Sequence, residues 1–138
     1  MPTPRPASRP PKAPDRNVVT AARAAPKLTP TMSLIDTAQL KIIERLPGWR
    51  ARIFNSASMT FAHYEFAAGS TIHAHSHEQE EVWNVIEGEL EVTVAGERHV
   101  AGPGMVAIVP PNTAHSVRAL TDGRAIIVDH PLRPDFGG

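Results

Sequence analysis

The stretch from residue 69 to residue 88, GSTIHAHSHEQEEVWNVIEG, concentrates side chains that can bind a metal ion or move a proton. It contains His73, His75 and His77 at alternate positions, followed closely by Glu81. Residues two apart in a β-strand point to the same face, about 6 to 7 Å from each other. We therefore expect the three imidazoles to project together, with neighbouring rings close enough to bind one ion.

Two further donors are expected in buried positions. Glu81 has the same parity as Trp83 and Val85, so its carboxylate should point inward, and His115 opens a later strand with the parity of Val117. Three histidines alone would equally fit a solvated strand face. Buried carboxylates and imidazoles, however, cost free energy unless they are paired or bind a metal. Because the chain has no cysteine, the donors are nitrogen and oxygen, which suit one divalent ion of Fe, Mn, Ni, Co, Cu or Zn.

Length and charge limit the remaining classes of protein. The 138 residues are expected to form one folded domain. With 14 basic and 14 acidic residues the formal net charge is zero, which does not favour nucleic acid or an acidic membrane surface. No apolar run approaches the ~18 residues of a membrane helix, and the N-terminus lacks the apolar centre of a secretory signal. We expect a cytoplasmic protein whose partner is a small molecule, with no nucleic-acid or membrane partner.

The first 31 residues differ in composition from the rest of the chain. The segment up to residue 30 has eight prolines and six basic residues against one acid, Asp15. Proline interrupts both helices and sheets, so residues 1–31 are predicted to form a disordered Pro/Arg-rich arm. Two alternatives are that the arm binds an acidic surface or that Met32 is the natural start. Residues 32–138 are predicted to form the folded domain.

A short helix is predicted to precede the strands. Asp36 and Gln39 have the spacing of a capping box, while Pro47 and Gly48 provide a stop signal. These signals predict a helix over about residues 36–46.

Strands are predicted from about residue 50 to about residue 132. Short runs such as SMTFAHYEF and RAIIVDH lie between turn signals, and EVWNVIEGELEVTVAG is interpreted as a hairpin turning at Glu87 and Gly88. Without interleaved helices, this pattern favours an antiparallel all-β sandwich or barrel. The outward positions Val82 and Ile86 are apolar, so the short helix or a second subunit should cover them. We expect a homodimer.

Residues about 50–132 resemble the cupin superfamily. Its first motif, G-x5-H-x-H-x3-E-x6-G, is matched at every position by Gly69, His75, His77, Glu81 and Gly88. The single-domain organisation is similar to that of the small monocupins.

The second cupin motif, G-x5-P-x-G-x2-H-x3-N, is matched in part. Gly104, Pro110 and His115 are in place. Asn112 stands where glycine is usual and Ala119 where asparagine is usual, which changes the turn and a pocket position but not the ligand.

The resemblance implies an RmlC-like jelly-roll β-barrel with a metal at its mouth. The implied ligands are His75, His77, Glu81 and His115, which would leave two cis positions of an octahedral ion open for substrate or water. An alternative register, His73 with His75 and Gln79, also has ligand-like spacing but misplaces the closing glycine.

Two functions from different classes follow from these patterns. The first is a metal-dependent enzyme, either a lyase or isomerase acting on a sugar acid or a similar molecule, or a dioxygenase. His73 would be its candidate proton-transfer residue, and Tyr64 and Trp83 would line the substrate pocket with it. The C-terminal sequence HPLRPDF is similar to that of cupins that help to linearise unsaturated uronates. The alternative is a non-catalytic cupin module that binds or senses a small molecule such as a sugar.

Overall fold

The computed structural model describes residues 2–5 and 33–134. The arm predicted at residues 1–31 therefore lies outside the described residues, apart from residues 2–5, which are exposed and have no regular secondary structure. Among the described residues, no helix is long and apolar enough to cross a membrane.

The described part of the chain contains nine β-strands and one short 3-10 helix, all within the unit Asp36–Gly138. The strands are β1 (Trp49–Asn55), β2 (Thr60–Phe66), β3 (Thr71–His75), β4 (Glu80–Glu87), β5 (Leu90–Val94), β6 (Glu97–Ala101), β7 (Val106–Val109), β8 (His115–Ala119) and β9 (Gly123–His130). They form a five-stranded sheet in the order β1-β2-β9-β4-β7 and a four-stranded sheet in the order β3-β8-β5-β6. Every pairing is antiparallel, which confirms the all-β class.

One apolar core is built from the inward faces of both sheets. The five-stranded sheet contributes Trp49, Trp83 and Ile127, and the four-stranded sheet contributes Leu90 and Val117. Because side chains alternate along a strand, every second residue of β4 enters this core, beginning with Glu81. The strand pattern therefore delivers a carboxylate to the interior, as the parity of Glu81 predicted.

The helix predicted at residues 36–46 is wrong beyond its first turn. Asp36 caps a 3-10 helix of only three residues, Thr37–Gln39, with its side chain accepting from the Ala38 N–H at 3.0 Å. Ile43 instead forms an antiparallel bridge with Ala51 of β1, through two backbone hydrogen bonds of 2.8 Å. Adjacent β-branched Ile42 and Ile43 favour extended backbone, and pairing with β1 satisfies the groups that a helix would have satisfied internally.

The hairpin predicted at Glu87 and Gly88 is also wrong. Strand β4 lies in the five-stranded sheet and β5 in the four-stranded sheet, so the two strands do not pair. Gly88 has φ +81°, and an added Cβ would lie 2.3 Å from the Asp122 carbonyl oxygen. The glycine marks a tight passage from one sheet to the other, because both strands must bury their apolar faces in the same core.

Candidate metal centre

Three histidines and two carboxylates meet where strands from both sheets end. His75 is the last residue of β3 and pairs with His115, the first residue of β8. His77 lies beyond β3, where its carbonyl accepts from the Asn112 N–H at 2.7 Å. The ring centroids of His75 and His77 lie 4.4 and 4.8 Å from that of His115.

The simple alternation predicted from His73 to His77 does not hold. The register between β3 and β8 shifts between Ile72 and His75, and Ile72 is buried while His73 is exposed. Such an irregularity re-aims the following side chain. His75 thus points toward His115, and His73 lies at the edge with its ring centroid 5.8 Å from that of His75.

Backbone carbonyls orient all three central imidazoles in the same way. Each Nδ1 lies at hydrogen-bond distance from a carbonyl two residues away: His75 from His73 at 2.8 Å, His77 from Gln79 at 3.1 Å and His115 from Thr113 at 2.8 Å. A neutral imidazole that donates its Nδ1–H to a carbonyl presents the lone pair of Nε2. This is the orientation that a metal-binding histidine requires.

The Nε2 atoms support the same interpretation. Those of His77 and His115 are buried, and Glu81 Oε2 is a polar atom that faces both of them. Glu81 Oε2 lies 2.7 Å from His77 Nε2 and 3.8 Å from His115 Nε2. Two atoms that both carry lone pairs repel each other at such distances unless a proton or a metal ion lies between them. The donor set therefore fits a divalent transition metal.

Glu81 and Asp129 form a buried pair of carboxyl groups. They are opposite each other in β4 and β9, with 2% and 0% of their surface exposed. The Trp83 indole N–H donates to Glu81 Oε1, and Arg133 Nη1 lies 3.4 Å from Glu81 Oε2 and 3.5 Å from Asp129 Oδ2. Burial, followed by the charge of Glu81, raises the pKa of Asp129 to about 8.

The protonation of Glu81 and the histidines follows from the same contacts. Burial alone would raise the pKa of Glu81, but its contacts with His115 and His77 outweigh burial and lower that pKa. Burial likewise would lower the pKa of His115, yet Glu81 and the Thr113 carbonyl raise it. The pKa of His75 is lowered, chiefly by burial. Since a ligand imidazole must be neutral, metal binding competes with protonation of His115.

A cavity of about 410 Å³ opens beside these residues. Tyr64, Trp83 and His73, the three predicted pocket residues, all line it. Tyr64 and Trp83 stack with centroids 5.9 Å apart, and Trp49 meets both edge-on at 5.5 and 6.0 Å. The centre therefore lies against an aromatic wall, in a cavity within the usual size range of small-molecule sites.

The structure brings the four predicted ligands together. One ligand atom each from His75, His77 and His115 lie within 4.8 Å of one another, and the same holds for His77, Glu81 and Asp129. Neither group includes His73 or Gln79, the residues of the alternative register. The Gln79 amide is buried and donates to the Leu132 carbonyl at 3.1 Å.

Three residues of the site were missed from the sequence. Asp129 shares the parity of the apolar Ile127, a signal that could have identified it. Arg133 follows the cis His130–Pro131 bond and lies beyond the last strand, where no periodicity applies. Arg45 lines the cavity but falls in the segment predicted to be helical.

Two antiparallel sheets around one core, with a histidine and carboxylate cluster beside a cavity, define a small single-domain cupin. Residues 62–131 match the family model of the cupin domain (Cupin_2), and the chain belongs to this family. No curated protein matches the sequence significantly.

Solved structures with the same fold include two at 26% identity. An RmlC-like cupin from Shewanella frigidimarina superposes with a TM-score of 0.72, covering 77% of this chain and 96% of its own. KdgF from Halomonas sp. gives a TM-score of 0.71, covering 77% and 99%. A predicted oxalate decarboxylase from Thermotoga maritima, at 18% identity, gives 0.62 with 72% and 99% covered, and this likeness shows the fold alone.

Proposed function

We propose that the protein is a metal-dependent enzyme acting on a small, polar, oxygen-rich molecule. His75, His77, Glu81 and His115 would hold one divalent transition-metal ion. The observation that carries the proposal is the shared orientation of the three imidazoles, with Nδ1 at a backbone carbonyl and one ligand atom of each ring within 4.8 Å of the others. The buried Nε2 atoms of His77 and His115 face Glu81 Oε2, the fourth proposed ligand, at 2.7 and 3.8 Å.

The residues around the centre have distinct parts in this proposal. A bound ion would supply Lewis-acid chemistry and, if redox-active, electron transfer. Trp83 orients Glu81 through its indole N–H, while the Arg133 guanidinium balances the charge of that carboxylate. Tyr64 keeps its proton because burial raises its pKa, so it can donate a hydrogen bond to a substrate oxygen. His73, exposed at the cavity edge, is the candidate for proton exchange with solvent.

Two reaction types fit this arrangement. Lyase or isomerase chemistry on a sugar acid is supported by the likeness of the HPLRPDF tail to uronate-linearising cupins. Dioxygenase chemistry would use the same ligands with Fe(II) or another redox-active ion. Anaerobic reconstitution with Fe(II) or Zn, followed by assays on uronates and diketones, separates the two. Turnover with redox-inert Zn would exclude the dioxygenase.

Elemental analysis of His75→Ala and His77→Ala tests the metal assignment. Each variant is expected to lose stoichiometric metal, because an octahedral ion loses one of four protein ligands, while circular dichroism stays that of the wild type. His99→Ala is the matched control, since His99 is exposed on β6 and belongs to neither group of candidate metal ligands. Wild-type protein that takes up no transition metal after reconstitution would contradict the proposal. Retention of a sugar without metal would instead favour the non-catalytic binding module.

We also propose that the protein forms a homodimer through the outer face of the five-stranded sheet. One residue from each strand forms a continuous apolar row across that face, in the order Phe54, Phe61, Val128, Val82 and Ile108. Ile108 is 61% exposed and its neighbour Val106 is 52% exposed. A second copy would cover this apolar surface by packing the same face against it.

A further inference from the structure

The charged side chains that line the cavity are unequally divided by sign. Among the described residues, the lining has two guanidinium groups, Arg45 and Arg133, and one carboxylate, Glu81. A divalent ion at the histidine cluster would add further positive charge. A cavity with this balance attracts an anion and disfavours a cation.

The two arginines lie in different surroundings. The Arg133 side chain is only 17% exposed and contacts the buried carboxyl groups of Glu81 and Asp129. Arg45 is exposed, so its guanidinium can be reached by a molecule that enters the cavity.

The backbone around Arg45 is held in place on β1. Ile43 and Ala51 exchange two hydrogen bonds, and the Trp49 N–H donates to the Leu46 carbonyl at 3.1 Å. The Gly48 N–H donates to the Glu44 side chain at 3.2 Å. These bonds hold the segment around Arg45 in a turn. The backbone position from which the Arg45 side chain extends is therefore fixed at the edge of the cavity.

Arg45 also lies within electrostatic reach of the aromatic wall. Burial raises the pKa of Tyr64, and the charges of Arg133 and Arg45 both oppose that rise. The stacked Tyr64 and Trp83 rings line the same cavity as His75, His77 and Arg45. Such a wall packs well against a ring or a short carbon skeleton.

We infer that Arg45 binds the carboxylate of an anionic substrate whose other oxygens face the histidine cluster. The inference rests on the proposed function, and it narrows the substrate to small carboxylates. Arginine suits this task because its planar guanidinium can donate two parallel hydrogen bonds to one carboxylate. A neutral analogue would lose both the pairing and the attraction of the positively charged cavity.

Ligand titrations with matched acid and alcohol probes test the inference. The probes are D-galacturonate with D-galactose, and mandelate with 1-phenyl-1,2-ethanediol, each pair differing in a carboxylate or a CH2OH group. The chain has two tryptophans, Trp49 and Trp83, and both line the cavity, so intrinsic fluorescence reports binding there. In at least one pair, wild-type protein should bind the acid about tenfold or more tightly than the alcohol.

Substitutions identify the residue responsible for that preference. Arg45→Gln should abolish the preference for the acid, and Arg45→Lys should retain part of it as a point charge. Arg50→Gln is the matched control, because Arg50 is exposed on the neighbouring strand and does not line this cavity. Equal binding of acid and alcohol, no measurable binding of either probe in both pairs, or a preference that survives in Arg45→Gln would each overturn the inference.

Titrations of both metal-loaded and metal-free protein separate this inference from the proposed function. Arg45 is not a metal ligand, so an Arg45-dependent preference is expected in the metal-free protein as well. A protein that shows this preference but takes up no metal would support the inference and contradict the metal-dependent enzyme. A protein that takes up metal but shows no Arg45-dependent preference would support the metal assignment and contradict the inference about Arg45.

Discussion

Glu81 and Asp129 show how one buried cation can set the protonation of two acids. Both carboxyl groups lie in the interior, and Arg133 is within 3.5 Å of each. One guanidinium can balance a single negative charge, and a second buried charge beside the first would cost several kcal/mol. Glu81, with two further imidazole contacts, is the group that ionises, while burial and the charge of Glu81 raise the pKa of Asp129 and favour its protonated form.

The phenol of Tyr64 should resist ionisation in the native protein. Burial, together with the charge of Glu81, raises its pKa above the ordinary value of 10.0. The native state then holds a proton that the unfolded state releases above pH 10. The stabilising effect is present below that pH and is lost as the pH rises toward the native pKa.

This prediction is measured through the near-ultraviolet absorbance of the phenolate. The signal is specific because Tyr64 is the chain's single tyrosine. At about pH 11 the native protein should show little phenolate, which appears only as circular dichroism reports unfolding. In Tyr64→Phe, the decline of stability above pH 10 should be smaller. A phenolate that forms with a midpoint near pH 10 in the folded protein would refute the prediction.

The sequence was most informative about single residues wherever strand parity applied. The spacing from Gly69 to Gly88 and the parity of Glu81 selected the residues that the structure brings together. Parity could not identify Arg133, because that residue lies outside any strand. Parity also placed His73 wrongly on the same face as His75, because the register shift in β3 cannot be predicted from a pattern of alternate histidines.

At the scale of elements, the passage between β4 and β5 depends on a glycine at residue 88. Gly88 needs positive φ, and its surroundings leave no room for a Cβ. Gly96, between β5 and β6, has nearly the same φ of +83° but open space around it. Comparing substitutions at the two glycines therefore distinguishes the effect of positive φ from the effect of crowding around the added Cβ.

Alanine substitutions at both glycines test this difference by denaturant unfolding. Gly96→Ala should cost ~1 kcal/mol, since only the backbone conformation is disfavoured. Gly88→Ala should cost a further 1–3 kcal/mol, approximately, because its Cβ would overlap the Asp122 carbonyl and the Thr121 side chain. Equal losses of stability in the two variants would show that crowding at Gly88 is relieved by a shift of the 121–123 turn.

The two elements that were predicted wrongly failed for the same physical reason. Local signals at Asp36 and at Gly88 identified where the chain turns, and both residues do mark turns. They could not show which strand the following segment pairs with. That choice depends on Ile43 pairing with Ala51 and on β5 pairing with β6 and β8, which the capping and turn signals do not specify.

At the scale of the whole molecule, the outer face of the five-stranded sheet is expected to join two copies. Ile108→Glu places a charge in the apolar row and should shift the mass measured by light scattering from that of a dimer to that of a monomer. Val100→Glu is the matched control: Val100 is 50% exposed but lies on β6, in the other sheet.

Other results would contradict this arrangement. A monomer mass for the wild type would leave the apolar row to another partner. A dimer that survives Ile108→Glu but dissociates in Val100→Glu would assign the interface to the four-stranded sheet instead.

The carbonyl contacts of the three imidazoles have a consequence for how this protein can change. His73, Gln79 and Thr113 hold the rings through main-chain oxygen atoms, which every amino acid possesses. The side chains of His73 and Thr113, unlike the buried Gln79 amide, can therefore be exchanged without releasing the rings that these residues orient. A library that varies residue 73, which lines the cavity, could redirect it toward new molecules while the backbone keeps the orientation of the imidazoles unchanged.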